Sequence, residues 1–381
     1  MREVAVIGIG QSQFGKFPEK TIIELGREAV SEAIADAGVK PRDIQGATCS
    51  RLYVDQITGQ TILKEVGIAG IEIYNVENGC AGGATAVRCL WKDIAAGIYD
   101  VGIAVGVESM TTSPMAGKLL TPAPDDLDGQ LGLTMPSLFA LFTRRLMETR
   151  GATAEDFARI SVKNHHHGFL NPRAQYRKEF TVEEVLASRM IAEPITLLQC
   201  CPNTDGAAAV VMCSMDVARR YTSHPVKVAA SVLVSGDYTS KKEDMASFVM
   251  GKTASRKAYE MAGIGPEELN LVELHDAFAP EEMIHYEDMG LCKPGGGVEL
   301  LRSGATALGG KIPVNPSGGL LALGHPLSAS GVRAMCDVAL QLRGQAGKMQ
   351  VPGAKVGMAQ MLGGLAVGLE SGACGIHILT R

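Results

Sequence analysis

GCAGGATAVRCL at residues 79–90 and GHPLSASGVRAMC at 324–336 read as two versions of one segment. Each opens on glycine, runs through small residues and reaches Ala-Val-Arg or Gly-Val-Arg at the same distance, with an offset of 325 − 80 = 245. Upstream, AGVKPRDI at 37–44 matches AGIGPEEL at 262–269, with an offset of 262 − 37 = 225. Downstream, DVGIAVG at 100–106 matches KVGMAQM at 355–361, with an offset of 355 − 100 = 255. The order of the three matches is preserved while the offsets grow, which describes a duplicated unit with insertions.

Each copy reads as strand, helix, strand, glycine-led helix, strand, strand. Runs such as VGIAVGV and VKVAASVLV are apolar throughout, as strands covered on both faces are. Gly38 and Gly263 stand where a helix end needs a left-handed residue, and Pro41 and Pro266 open the next turn. Two such halves pack about a pseudo-twofold axis. In the second half the last two strands, near Val356–Met361 and Gly375–Leu379, are joined closely. In the first half about a hundred residues separate their counterparts, Val101–Val107 and Ala207–Met212, too many for a plain loop. The expected organisation is a first half over 1–110 completed by 206–225, an inserted loop domain over 111–205, and a second half over 226–381.

The bulk properties agree with an α/β chain of 381 residues in a few packed units. Aromatic residues make up 5% and glycines number 45, which suits closely approaching layers. A net charge of −5 gives no reason to expect nucleic acid, and an anionic ligand would need a local basic patch. Nine cysteines without metal-type spacing, with Cys200 and Cys201 the one adjacent pair, read as reduced thiols. The apolar strand Val4–Ile9 follows no signal-like segment, and no run is long enough for a bilayer, so the expectation is a cytoplasmic protein with no membrane contact. Gly8-Ile9-Gly10 and Gly295-Gly296-Gly297 lack the spacing of a dinucleotide fingerprint.

Cys80 lies between a strand and a helix start, where the dipole and unpaired N–H groups favour a thiolate and can hold an oxyanion. Buried, unreactive cysteines are common, but the repeat sets Cys80 opposite His325, and twofold packing brings the two helix starts together. A cysteine meeting a histidine makes a nucleophile and its base. His275 follows the strand Leu271–Leu274, a good mounting for a catalytic group; a surface histidine bonded to Asp276 is the competing reading. His165, His166 and His167 cannot all face one metal ion from a regular element. They read as a polar loop, with Arg173, Arg177 and Lys178 as a potential basic patch.

With Cys80, HDAFA at 275–279, NPSGG at 315–319 and GHP at 324–326 in this order, the chain resembles the thiolases over nearly all its length. The nearest branch is the sterol-carrier-type and archaeal thiolases, with HD-x-F in place of NEAF. The resemblance implies a layered αβαβα fold, a homodimer, acyl-CoA as substrate, and coenzyme A as co-substrate with no tightly bound cofactor and no metal. It also implies that His325 activates Cys80, that His325 and a water on His275 hold the enolate, and that N–H groups of Cys80 and a glycine near Gly363 hold the acyl oxyanion. Thiolases carry a second acid/base cysteine, either inside HD-Cys-F or in a C-terminal Cys-x-Gly. Here those places hold Ala277 and Gln360-Met361-Leu362-Gly363-Gly364, and neither Cys374 nor Cys292 is aimed at Cys80 by the sequence. Ala277 leaves room for a bulky, branched or aromatic 3-oxoacyl-CoA, as in a benzoylsuccinyl-CoA-type thiolase of aromatic degradation. A small zinc-ribbon/OB-fold companion subunit accompanies some members of the branch. Two other readings stand beside this one: a Claisen condensing enzyme with a non-CoA acceptor, and a non-catalytic acyl-CoA-binding subunit.

Overall fold

The computed structural model describes residues 1–113, 116, 118, 120–122, 126–237, 244–365 and 370–381. Part of the expected 111–205 excursion (114, 115, 117, 119 and 123–125) therefore lies outside the described residues.

The first half begins with β1 (Val4–Gln11), buried along its whole length, and α1 (Ile22–Ala37). Thr21 caps α1 reciprocally: its hydroxyl accepts from the Glu24 N–H at 3.2 Å and its own N–H donates to Glu24 at 2.8 Å. Such a box is worth about 1 kcal/mol. The helix stops at Gly38, with φ of 64°, and Pro41 opens a 3₁₀ turn. Strands β2 (Gly46–Ser50) and β3 (Glu72–Val76), helix α2 (Gly82–Ala96) and β4 (Val101–Ser109) follow. The excursion contributes α3 (Met135–Arg150) and α4 (Ala154–Leu170), and β5 (Asp205–Ser214) completes the half.

The second half repeats this order, with helix α6 in place of strand β3: β6 (Val226–Val234), α5 (Val249–Ala262), β7 (Leu271–Glu273), α6 (Ala279–Asp288), α7 (Ser330–Arg343), β8 (Val356–Leu365) and β9 (Ser371–Thr380). Helix α5 ends at Gly263 with φ of 71°, and Pro266 opens the turn after it, as Gly38 and Pro41 do in the first half.

The sheet runs β3-β2-β4-β5-β1-β6-β9-β8-β7, so the four strands of the second half mirror β1, β5, β4 and β2 of the first. At the centre only Ala5↔Lys227 and Val6↔Val226 pair, so the two half-sheets meet at one corner and otherwise diverge. Helices α2 and α7 fill the space between them, α1 covers the outside of the first half and α5 that of the second. This is the αβαβα layering. The approach of α2 to α7 depends on glycine: a Cβ on Gly83 would lie 2.8 Å from Ser328 O and Val332 N, and one on Gly331 would collide with Ala84 N. Gly8 and Gly10 have the same structural use, since a Cβ on either would strike the backbone of α1.

His165, His166 and His167 correct one expectation: they lie inside α4, not in a loop. His165 and His167 are buried and only His166 faces solvent, because consecutive residues on a helix point about 100° apart. His167 Nδ1 donates to Asn315 O at 2.9 Å and its Nε2 accepts from Leu308 N at 3.1 Å. Burial lowers its pKa to about 3 and that of His165 to about 4, so both are neutral. Arg173 pairs with Glu32, and His166 with Glu179, while Arg177 and Lys178, the other cations considered for a basic patch, are exposed.

Candidate active site

Cys80 sits in a 3₁₀ turn, Gly79–Ala81, that leads into α2. Gly79 has φ of 54°, and a Cβ there would lie 2.7 Å from Gly364 N. A Cβ on Gly363 would collide with Ala81 N and Asn78 O. The end of β8 thus lies directly against the cysteine turn, which only glycine on both sides permits.

His325 comes from the matching place before α7. Gly324, with φ of 112°, turns the chain, and the His325 N–H donates to Thr204 Oγ1 at 3.1 Å. Ser330 Oγ donates to Pro326 O at 3.0 Å, so toward His325 Nδ1, 2.8 Å away, it can only accept. The ring proton is thereby held on Nδ1, and Nε2 keeps its lone pair. Burial, then the charges of His275 and Arg333, push the His325 pKa well below its ordinary value.

His275 leaves the end of β7 and its ring is 5% exposed, which excludes the surface position considered for it. Its Nδ1 donates to Glu281 Oε1 at 2.8 Å, and Glu281 Oε2 accepts from Ala277 N at 3.0 Å. Burial alone would discharge this ring, but the Glu281 carboxylate and Cys80 outweigh it and raise its pKa to about 10. Glu281 answers in the opposite direction: burial opposes its ionisation, yet His275 and His285 hold its pKa at about 2. Asp276 points elsewhere and accepts from Leu320 N at 2.6 Å and Asn164 Nδ2 at 2.8 Å, tying α4 to the NPSGG loop. Arg333, fully buried, fixes that loop from the other side by donating to Glu273 at 2.8 Å, Ser317 at 2.9 Å and Asp337 at 2.9 Å.

One ligand-type atom each of Cys80, His275 and His325 lies within 4.8 Å of the other two. The rings are 5.2 Å apart between centroids and meet edge to face. Both Nε2 atoms are buried without a hydrogen-bond partner among the described residues. The trio is a soft donor set, but an imidazolium has no lone pair to give a metal, and Glu281 keeps His275 protonated. Acid–base chemistry around a thiol fits it better.

The trio lines a cavity of about 730 Å³. One wall is aromatic: Phe139 stacks on Phe278 at 4.5 Å, Phe142 meets Phe139 edge-on at 5.4 Å, and Phe248 meets Phe142 likewise at 5.4 Å. Helix α3 supplies Phe139 and Phe142, so the excursion builds the pocket. Lys16, Lys118 and Arg189, all exposed, also line it. Gly363 and Ala277 do so as well, whereas Cys374 and Cys292 do not.

Comparison with known proteins agrees with this geometry. Residues 4–216 match the model of the thiolase N-terminal domain, and 231–371 that of the thiolase C-terminal domain-like family. The chain belongs to the thiolase family and is a thiolase-type acyltransferase. It is 39% identical to an acetyl-CoA acetyltransferase of Methanothermobacter thermautotrophicus, over the full length of both. It is also 39% identical to the benzoylsuccinyl-CoA thiolase subunit BbsB of Thauera aromatica, covering 95% of each chain. Among solved structures, the Ltp2-ChsH2(DUF35) aldolase superposes with a TM-score of 0.85 at 25% identity, covering 100% of this chain and 98% of that one. A monomeric SCP2-thiolase-like protein from Mycobacterium smegmatis shares the fold, with a TM-score of 0.75 at 18% identity, covering 99% of this chain and 76% of that one. Among the described residues no helix is long and apolar enough to cross a membrane.

Sequence reasoning missed Glu281, Ser330 and the phenylalanines of α3. The signal for Glu281 was present in HDAFAPEE, six residues after His275, but only the turn from strand end into α6 carries the carboxylate back to the imidazole.

Proposed function

We propose that this enzyme cleaves or forms an aromatic or similarly bulky 3-oxoacyl-CoA by way of an acyl-Cys80 intermediate. The observation that carries the reading is the aromatic wall facing the Cys80–His275–His325 cluster across one cavity. Cys80 gives its proton to the free Nε2 of His325, and the thiolate attacks the 3-oxo carbonyl. The charged His275 ring stabilises first the thiolate and then the oxyanion, a division of roles that differs from the one the resemblance implies. Gly363, pressed against the cysteine turn, places β8 backbone beside the acyl oxygen. Lys16, Lys118 and Arg189 supply the local positive charge that coenzyme A phosphates need on a chain of net charge −5.

Two partners belong to the same proposal. Strand β3 ends the sheet with its outer edge unpaired among the described residues, which suits strand-to-strand pairing with a second copy. A small zinc-ribbon/OB-fold companion is supported by the relative named as a subunit and by the aldolase solved with a DUF35 partner.

The test is intact-mass spectrometry after incubation with aliphatic and aromatic 3-oxoacyl-CoAs. An aromatic acyl adduct on the wild-type chain, absent from Cys80→Ala, is expected. No adduct with any member of the panel would overturn the reading and favour an acyl-CoA-binding subunit.

A further inference from the structure

We propose that Cys201, which lies across from Ala277 in the cavity that holds Cys80, His275 and His325, is a second catalytic thiol that protonates the departing carbon. The inference rests on the acyltransfer reading above, in which carbon–carbon cleavage releases an enolate whose carbon must gain a proton, while Ala277 carries no acid.

The backbone returns a thiol to that place from another part of the chain. The Cys201 N–H donates to Ala277 O at 2.8 Å, and Cys200 forms an antiparallel bridge with Phe278. Residues 200–201 therefore run alongside 277–278, and Ala277 leaves the space that a larger side chain would fill. The two cysteines are not equivalent. Both line the cavity, but Cys200 Sγ donates to Thr196 O at 3.4 Å, whereas the Cys201 thiol has no hydrogen-bond partner among the described residues. The buried, unpartnered Nε2 atoms of His275 and His325 face the same space, marking where the reacting atoms sit. Burial raises the Cys201 pKa well above the ordinary value, and the charges of Cys200, Cys80, Asp276 and Glu281 add to this. A thiol so placed holds its proton until a strong base, such as an enolate carbon, appears.

The steps balance. The Cys80 sulfur bonds to the 3-oxo carbon, the Cα–Cβ bond breaks and its electron pair stays on Cα. The Cys201 proton moves to Cα, releasing that fragment as its CoA thioester, acetyl-CoA where Cα is unsubstituted, while the shortened acyl group stays on Cys80. The Cys201 thiolate then takes the proton of incoming coenzyme A, whose sulfur attacks the acyl group. Cys80 leaves as the thiolate and recovers its proton from His325. In the reverse direction the same Cys201 thiolate removes an α-proton from acetyl-CoA.

The experiment compares wild type, Cys201→Ala and Cys201→Ser with benzoyl-CoA, benzoylacetyl-CoA and acetyl-CoA in D₂O. Acylation of Cys80 by benzoyl-CoA involves no carbon acid and expels a thiolate that can leave without a proton, so on long incubation all three chains should gain the adduct, more slowly in the variants, which also reports folding. Thiolysis of benzoylacetyl-CoA should fall at least about a hundredfold in both variants. Exchange of acetyl-CoA α-hydrogens for deuterium should be lost in both. Thiolysis within about threefold of wild type in Cys201→Ala, or recovery of rate and exchange in Cys201→Ser, would assign Cys201 to packing and overturn the inference. A wild-type chain that neither gains the adduct nor cleaves any 3-oxoacyl-CoA would instead remove the acyltransfer reading itself.

Discussion

His275 and Glu281 form the most consequential single contact of the site, since one hydrogen bond sets both the charge and the orientation of the ring. The pair's contribution to stability is complete between the ordinary pKa values of 4.5 and 6.5. It is lost as pH rises from 6.5 through about 10, where the folded imidazolium gives up its proton. It is lost likewise as pH falls from 4.5 through about 2, where the folded carboxylate gains one. Glu281→Gln should therefore lower Tm most between pH 4.5 and 6.5, with the deficit shrinking toward pH 10. Breaking a buried pair from one side costs about 3–5 kcal/mol. Thermal unfolding across pH checks this, and a deficit that does not change with pH would mean the pair is uncharged. Activity at pH 7.5 should fall about a hundredfold, because the neutral ring no longer faces the oxyanion as a cation. Cys80 and His325 could be proposed from sequence because the repeat relates them. Glu281 and Cys201 could not, because each reaches the site through a backbone turn or bridge that no periodicity encodes.

At the scale of elements, the crossing of α2 and α7 decides the distance from Cys80 to His325. Gly83 and Gly331 let the helices meet backbone to backbone, so each histidine or cysteine at a helix start is carried by the packing of its whole helix. Gly331→Ala should push the helices apart and cost about 1–3 kcal/mol. Its loss of activity should exceed the unfolded fraction, since the Cys80–His325 spacing changes in the folded molecules that remain. Circular dichroism and kcat/KM on the same sample test this, and an unchanged kcat/KM per folded molecule would count against it. The caps at Gly38 and Gly263 were readable from sequence, because a left-handed residue is required at both and glycine supplies it locally. Helix α4 was misread because three adjacent histidines look polar, whereas two of them are neutral and buried, His167 against Leu308 and Asn315 of the second half and His165 against Tyr176 and Phe180 of the excursion.

Across the whole molecule the sheet has two unlike edges. The β7 edge is covered by a parallel bridge from Val272 to Val314, which stands where the first half has β3. Among the described residues the β3 edge has no such cover, and Tyr74 on it is 42% exposed. Dimer formation along this edge predicts that wild type elutes at twice the chain mass in light scattering. Tyr74→Lys, which sets an edge lysine there, should shift it toward monomer without lowering the monomer's helix content. A monomeric wild type at micromolar concentration would contradict the proposed pairing.

The sequence by itself determined the duplicated α/β architecture, the strand and helix order, and the equivalence of the Cys80 and His325 helix starts. These follow from local propensity, hydrophobic patterning and repetition, all of which are written along the chain. Only the tertiary structure decided which ring is charged, which carboxylate holds it, how phenylalanines from the excursion wall the cavity, and that Cys201 lies across from Ala277. Those properties depend on burial and on distances between segments far apart in sequence. Desolvation and charge–charge energies are set by what surrounds a group in space, not by what precedes it in the chain.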